Sequence, residues 1–438
     1  MSTMTAPAAD WKDKKRYLWL LGIVVMGLPL YGYGLVQLTG LSLFWWTSPI
    51  VLYLVIPALD HLIGEDDENA PDEAMTRLNA DGYYRWAVMA AIPLQYVTFV
   101  WATWMAMTGD LKWHELLGLF ISAGIVSGLS INVAHELGHQ TSKLERWAAK
   151  IALAPVAYGH FYVEHNRGHH IRVSTPEDPA TSRFGETFYE FLPRCLKGSI
   201  VSAWDIEKKR LEKKGKSVWS LENDNLQAWG LTVAIYGAMA IWLGWLALPF
   251  MLFQGLFGGA LLEVVNYLEH YGLKREKKAD GSYERCQPHH SWNSNHLATN
   301  VLLYHLQRHS DHHAYPTRSF QTLRNFDGLP RLPNGYAGMI LLAYFPPLWF
   351  KVMNPKVVAH FNGDMSRANI KPEIREQVLA QYGRAPHNCA RRAGPADAPT
   401  ERRLAAIRDR GGCRRRFIFI QHAARNGVRD EEVALSGL

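Results

Sequence analysis

The sequence predicts an all-α integral membrane protein: six transmembrane helices with a histidine-rich cap on the cytoplasmic side. Three observations carry that reading. Six apolar runs, 17–38, 41–59, 86–107, 116–134, 229–248 and 250–268, are each long enough to cross a bilayer, which takes roughly 20 residues. The polar segments between them alternate, short after the first, third and fifth runs and long after the second, fourth and sixth. Of nineteen histidines, fourteen lie between positions 135 and 313, in or beside those long segments.

Taken in chain order, residues 1–16 form a polar leader that ends in Lys12, Lys14, Lys15 and Arg16, directly before the first run. Cations flanking a first span favour a cytoplasmic N-terminus. The run is longer than a secretory apolar core and no small-residue cleavage pattern follows it, so it reads as a retained helix. The 64–85 segment is acidic, with Arg77 and Arg85 its only basic residues, and acidic residues contribute little to orientation. Six spans put the ends of all even-numbered helices on one side. The 135–228 segment and everything after 270 therefore share one face. Residues 17–383 read as one membrane domain.

Residues 384–438 differ in kind. They hold twelve arginines, no lysine and six acidic residues, and so carry most of the chain's net charge of +7. Without apolar periodicity this tail reads as disordered and solvated, in contact with anionic membrane lipid rather than with nucleic acid. Four widely spaced cysteines, with no C-x-x-C pair, support neither a zinc ribbon nor a disulfide framework.

The histidines fall into four clusters: "HELGH" (His135, His139), "EHNRGHH" (His165, His169, His170), "NYLEHYG" (His270) and "LQRHSDHHA" (His309, His312, His313). The first and third end the fourth and sixth runs, and the other two lie in the segments that follow. Spacings of three and four residues put side chains on one helix face, so each cluster is expected to aim its rings at one point. His135-Glu136-x-x-His139 also fits the zinc-protease pattern. A catalytic zinc takes three protein ligands and keeps one position open, so nine clustered histidines suit two ions of four or five ligands each. Imidazole serves iron, copper, nickel and zinc alike. An apolar bundle that opens onto such a cap fits an apolar substrate arriving from the bilayer and dioxygen bound at a metal pair, and iron is the natural metal for that task.

At these residues the chain resembles a known family. "HELGHQ", "EHNRGHH", "NYLEHYGL", "LQRHSDHHA" and the intervening "QPHHSWNSNH" are similar to the boxes of the alkane 1-monooxygenases, within the membrane fatty-acid desaturase and hydroxylase superfamily. The resemblance runs from about Lys14 to Gly383. It implies a cap holding two non-haem irons (a diiron, dimetal site), with O2 as co-substrate, in a bacterial inner (cytoplasmic) membrane protein. It further implies terminal hydroxylation of medium- and long-chain n-alkanes to 1-alkanols. Electrons would come from rubredoxin, served by rubredoxin reductase; none is fused to this chain. His135, His139, His165, His169, His170, His270, His309, His312 and His313 carry over as iron ligands. His160, His289, His290, His296 and His305 break the cluster spacing and read as structural. Metal-bound histidines pass their other N–H to a carboxylate or carbonyl, which makes Glu263, Asn266, Asn132, Glu164, Glu269 and Asp311 candidates for that role. Leu52, eight residues before Asp60 on the second run, is a candidate wall of a substrate channel. The basic "EKKRLEKKGK" (207–216) is a candidate surface for the electron donor. The alternatives are a sister enzyme acting on fatty acyl or aromatic methyl groups and, remotely, a membrane zinc protease using His135, Glu136 and His139.

Overall fold

The computed structural model describes residues 11–382. The first ten residues of the leader and the arginine-rich 384–438 segment lie outside the described residues. Six helices are long and apolar enough to span a membrane: α1 (Leu18–Thr39), α2 (Ser42–Ile63), α3 (Gly82–Thr108), α4 (Trp113–Gly138), α5 (Asp224–Leu243) and α6 (Ala247–His270). Among the described residues there is no strand, only isolated bridges within the cap.

Local chemistry sets the ends of these helices. Before α3, the Asp81 carboxylate accepts from the Tyr83 N–H (2.9 Å) and caps the helix four residues ahead of the apolar run. At α4 the Glu115 carboxylate reaches back to accept from the Lys112 N–H (2.8 Å). The fifth span is displaced from 229–248. Asn223 Oδ1 takes the N–H groups of Asn225 and Leu226, so α5 begins at Asp224. Gly244, at φ 89°, then ends it, because that conformation suits glycine and breaks the helical path.

Two spans form the centre. In α4, 72% of the apolar window is buried and in α6 56%, whereas α2 and α5 bury 22% and 17%. Small residues let α4 and α6 approach closely, as expected where helix packing in lipid rests on van der Waals contact. A Cβ on Gly258 would stand 2.7 Å from Ser127 Cβ and 2.8 Å from the Gly128 nitrogen, and one on Gly128 would stand 2.7 Å from Leu261. This contact fixes α4, which carries His135, against α6, which carries His270.

The three long polar segments, those after α2, α4 and α6, assemble into one cap, as the parity of six spans requires. Arg308 donates to the Asp66 and Glu68 carbonyls at 2.9 and 3.0 Å. Arg331 pairs with Glu65 at 2.8 Å, and the Phe184 N–H donates to the Asn369 carbonyl at 2.7 Å. The described part of the leader is tied to the acidic loop through Lys15–Asp66 (2.5 Å) and Lys14–Glu68 (2.9 Å). A long cap helix, Phe188–Glu212, carries its own Thr187/Glu190 capping box.

The α4–α6 contact is testable. Gly258→Val places methyl groups where backbone already stands, and overpacking of this kind costs about 1–3 kcal/mol. Metal content per inserted chain is expected to fall. Gly237→Ala on α5, where a Cβ meets nothing within 4 Å, is expected to behave as the parent. Metal analysis of purified membranes for the two variants makes the comparison.

Candidate metal centre

The nine histidines converge, and they divide into two groups. His135, His139, His165, His170 and His312 bring their ligating atoms within 4.8 Å of one another, and His169, His270, His309 and His313 do the same. No cluster of three stays together, which corrects the expectation that each aims at one point. His165 and His170 serve the first group and His169 the second. His309 and His313 serve the second group, and His312 the first.

The division within "EHNRGHH" has a backbone cause. Residues His165–His169 form a π-helical turn, and the His170 N–H donates to the His165 carbonyl. A π turn places i and i+5 on one face, where an α turn would place i and i+4. The wider turn thus sends His165 and His170 to one group and frees His169 for the other. The bare Gly168 backbone leaves room for the Glu164–Arg172 pair, since a Cβ there would lie 2.6 Å from Glu164 Oε2 and from the Arg172 guanidinium. The remaining ligands come from helix ends. His135 is on the last turn of α4, His139 is its C-cap, His270 ends α6, and His309–Ala314 is a short helix of the cap.

All the close contacts in each group are between Nε2 atoms. In the first they run His135–His312 (3.0 Å), His312–His170 (3.1 Å), His170–His165 (3.0 Å) and His165–His139 (3.0 Å). In the second they are His270–His309 (3.2 Å) and His309–His313 (2.8 Å). A neutral imidazole has a single N–H, so the Nε2 atoms of His312, His170 and His165 in the first group and of His309 in the second, each facing two neighbours, cannot satisfy both. Burial first, and then neighbouring rings, hold His139, His165, His170, His309, His312 and His313 well below the ordinary imidazole range. These six rings are therefore held neutral, as ligation requires. A central cation resolves what the rings cannot resolve among themselves, so the donor set fits a metal ion in each group.

The carboxylates are distributed differently from the spacing argument. Asp178, which spacing does not single out from Glu177 beside it, accepts from His169 Nδ1 at 2.9 Å and from Thr181 Oγ1 at 2.6 Å. Burial alone would raise its carboxyl, but His169 and Thr181 outweigh that and hold it below the usual range. Glu269 Oε2 stands 3.2 Å from His309 Nε2. The other candidates make their hydrogen bonds elsewhere. Glu263 accepts from Tyr158 (2.6 Å), Cys195 (2.7 Å) and Asn266 (3.1 Å). Asn132 donates to the Leu303 carbonyl at 2.9 Å. Glu164 pairs with Arg172 at 2.7 Å, and Asp311 is held by Arg318 and by the Arg324 N–H.

The remaining histidines have structural partners or stand apart. His305 Nδ1 bonds the Phe320 carbonyl at 2.9 Å, His296 Nδ1 faces Ser294 Oγ at 2.8 Å, and His160 packs on Tyr158. His289, His290 and Glu284 form a third group of ligand-type residues. There, however, the Gln287 N–H donates to His290 Nδ1 (2.9 Å). The ring proton must then sit on Nε2, facing Glu284 at 3.1 Å, which turns the lone pair away from any ion.

Beneath the two histidine groups, between α1, α2, α4, α6 and the cap, lies an apolar cavity. Leu52 is part of its wall, in a π-helical stretch of α2 (Val51–Val55). Asn132 and Thr299 are its polar lining residues, and no charged side chain lines it. On α4 the wall reaches Asn132, three residues before His135. On α6 it reaches Val265, five before His270. At 1.5 Å per residue these are rises of about 4.5 and 7.5 Å, so the apolar wall stops about one helical turn short of His135 and His270.

Comparison with known proteins places these features together. The fatty acid desaturase family profile matches residues 111–343, a range that holds all nine histidines. The chain is 46% identical over 377 residues to an alkane 1-monooxygenase of Acinetobacter baylyi, covering 85% of this chain and 92% of that protein. It is 45% identical over 381 residues to an alkane 1-monooxygenase of Pseudomonas putida, with coverage of 87% and 95%. To the hydroxylase component of a xylene/toluene monooxygenase of Pseudomonas putida it is 30% identical over 279 residues, covering 62% of this chain and 71% of that protein.

Asp178→Asn tests the carboxylate behind His169. Loss of an outer-shell partner typically lowers metal affinity about 10–100-fold. A loss in that range is expected, confined to one of the two sites, in a metal titration of the demetallated protein.

Proposed function

The chain belongs to the alkane 1-monooxygenases of the membrane fatty acid desaturase family, and from that premise we propose that it hydroxylates the terminal methyl of medium- and long-chain n-alkanes with O2 at a non-haem diiron centre. The observation that carries this reading is the five-and-four division of nine buried histidines above a cavity lined by no charged residue. His135, His139, His165, His170 and His312 would hold one iron. His169, His270, His309 and His313 would hold the other. When bound, the iron pair supplies the activation of O2 that a C–H bond of this strength demands.

The residues of the chain do the rest. The cavity binds by burial alone, each methylene contributing about 0.8 kcal/mol. It offers no cation for a carboxylate or a thioester headgroup, which favours an unfunctionalised hydrocarbon over a fatty acyl substrate. The Thr299 N–H and hydroxyl both donate to Asp60 and the Asn132 amide donates to the Leu303 carbonyl, which takes these donors off the wall. α4 and α6 hold the end of the cavity against the ligand histidines and position one chain terminus there. The packed cap above excludes water from the reacting carbon.

Electrons reach the centre, in this reading, from rubredoxin reduced by its reductase. The cap helix ends in exposed Lys208, Lys209, Lys213, Lys214 and Lys216, a basic surface suited to an acidic donor. With Lys12, Lys14, Lys15 and Arg16 before α1, the N-terminus and the cap face the cytoplasm of a bacterial inner membrane.

The test of function is product analysis. Membranes holding the chain, with rubredoxin, its reductase and NADH, are expected to form 1-octanol from octane and 1-hexadecanol from hexadecane, with two irons per chain. An absence of 1-alkanol together with turnover of a fatty acid or a methylarene would place the chain with a sister activity. His270→Ala is expected to lower iron content and abolish 1-alkanol formation while the chain still inserts. Leu52→Trp is expected to keep octane hydroxylation and sharply reduce activity on hexadecane. A chain-length profile that does not move, at full iron content, would remove Leu52 from the substrate path.

A further inference from the structure

Two carboxylates approach ligand histidines, and they do so from opposite sides of the ring. Asp178 stands at Nδ1 of His169, 2.9 Å away. That is the far side of a ring that ligates through Nε2, where an orienting partner belongs. Glu269 Oε2 stands 3.2 Å from His309 Nε2. The same Nε2 atom faces His270 Nε2 at 3.2 Å and His313 Nε2 at 2.8 Å, so it is the atom turned toward the metal position. A carboxylate oxygen at the metal-facing nitrogen lies among the ligand atoms, not behind them.

Two further observations agree. Glu269 is 1% exposed, and the Tyr336 hydroxyl is its neutral neighbour. A buried carboxylate without a cationic partner is costly, and a metal ion removes the cost. The histidine count points the same way: five rings surround one position and four the other. Nine neutral imidazoles would also leave two divalent ions with no bonded counter-charge in a buried site, where uncompensated charge is severely disfavoured.

We propose that Glu269 is a tenth protein ligand, a carboxylate bonded directly to the metal of the four-histidine site, so that both metals have five protein ligands. The assignment rests on the diiron reading above. Its position follows from the end of α6. Glu269 and His270 are consecutive on the last turn, and the Glu269 carbonyl accepts from the Trp292 N–H at 2.8 Å. That bond anchors the turn to the cap and sets both side chains beside His309. The two sites would then differ in chemistry, one all-nitrogen and one with a charged oxygen donor, and the oxygen donor would hold its metal in the more oxidised form more readily.

The test compares the parent with Glu269→Gln, Glu269→Asp and Asp178→Asn, read by iron stoichiometry, by Mössbauer spectra of the ⁵⁷Fe-loaded chains, and by Co(II) titration of the demetallated chains. The parent is expected to bind two ions and to show two inequivalent iron sites. Glu269→Gln is expected to lose affinity at one site by more than the roughly 10–100-fold of an outer-shell change, and to alter the spectrum of that site alone. Asp178→Asn is expected to weaken binding with the spectral parameters kept. Two irons and an unchanged spectrum in Glu269→Gln would overturn the assignment and leave the diiron reading standing. A parent that binds other than two irons would sink the diiron reading, and this assignment with it. If Glu269→Gln does not insert, Glu269→Asp decides. It keeps the charge but withdraws the oxygen by one methylene, so a changed spectrum supports ligation and an unchanged one rejects it.

Discussion

The structure turns on a packing problem that protein atoms alone do not solve. Nine imidazoles are drawn into two buried groups, eight of them with Nε2 atoms 2.8–3.2 Å from a neighbour's, and a neutral ring cannot donate to one neighbour and accept from another through one nitrogen. Cations at the two centres would turn that conflict into coordination. Binding free energy at such sites is also folding free energy, since no preformed site exists in the unfolded chain. The helix ends, the π turn and the cap are arranged around that requirement.

Rigid support for the two groups comes from different places. α4 and α6 meet through Gly128 and Gly258 with no room for a further methyl, so His135 and His270 are held at a fixed separation by backbone contact. The cap supplies the other seven ligands, and it is built from chain segments far apart in sequence. Arg308, which is 2% exposed, ties the segment before His309 to the acidic loop after α2. Salt bridges on the cap surface contribute little individually. The buried Arg308 contacts to backbone carbonyls matter more, because removing the guanidinium would leave those acceptors unpaired.

The bilayer and the cap divide the functional labour. The cavity is apolar where it passes between the spans and meets the ligands only at the helix ends, where Asn132 and Val265 give way to His135 and His270. The apolar space and the histidine groups are thereby separated along the helix axes. α2 contributes its cavity wall from a π-helical stretch, as the second histidine box contributes its ligands from another. In both places the extra residue per turn redirects side chains that a regular α-helix would send elsewhere.

By itself the sequence determined the number of spans, the parity that gathers the histidines on one face, and the nine ring positions. These depend on apolar length and on short-range spacing, which are properties of the chain read locally. It placed α5 about five residues too late, because a polar cap at Asn223 and a helix-ending Gly244 outweigh the limits of the apolar run. The structure puts Leu52 in the lining of the apolar cavity. Only the tertiary structure decided which ring joins which metal group, since a π turn at His165–His169 has no spacing signature and changes the face on which i+4 and i+5 fall. It also decided that Asp178 stands behind His169, while Glu263, Asn266, Asn132, Glu164 and Asp311 bond elsewhere. A carboxylate's partner is set by where distant segments pack, and a one-dimensional pattern does not record that.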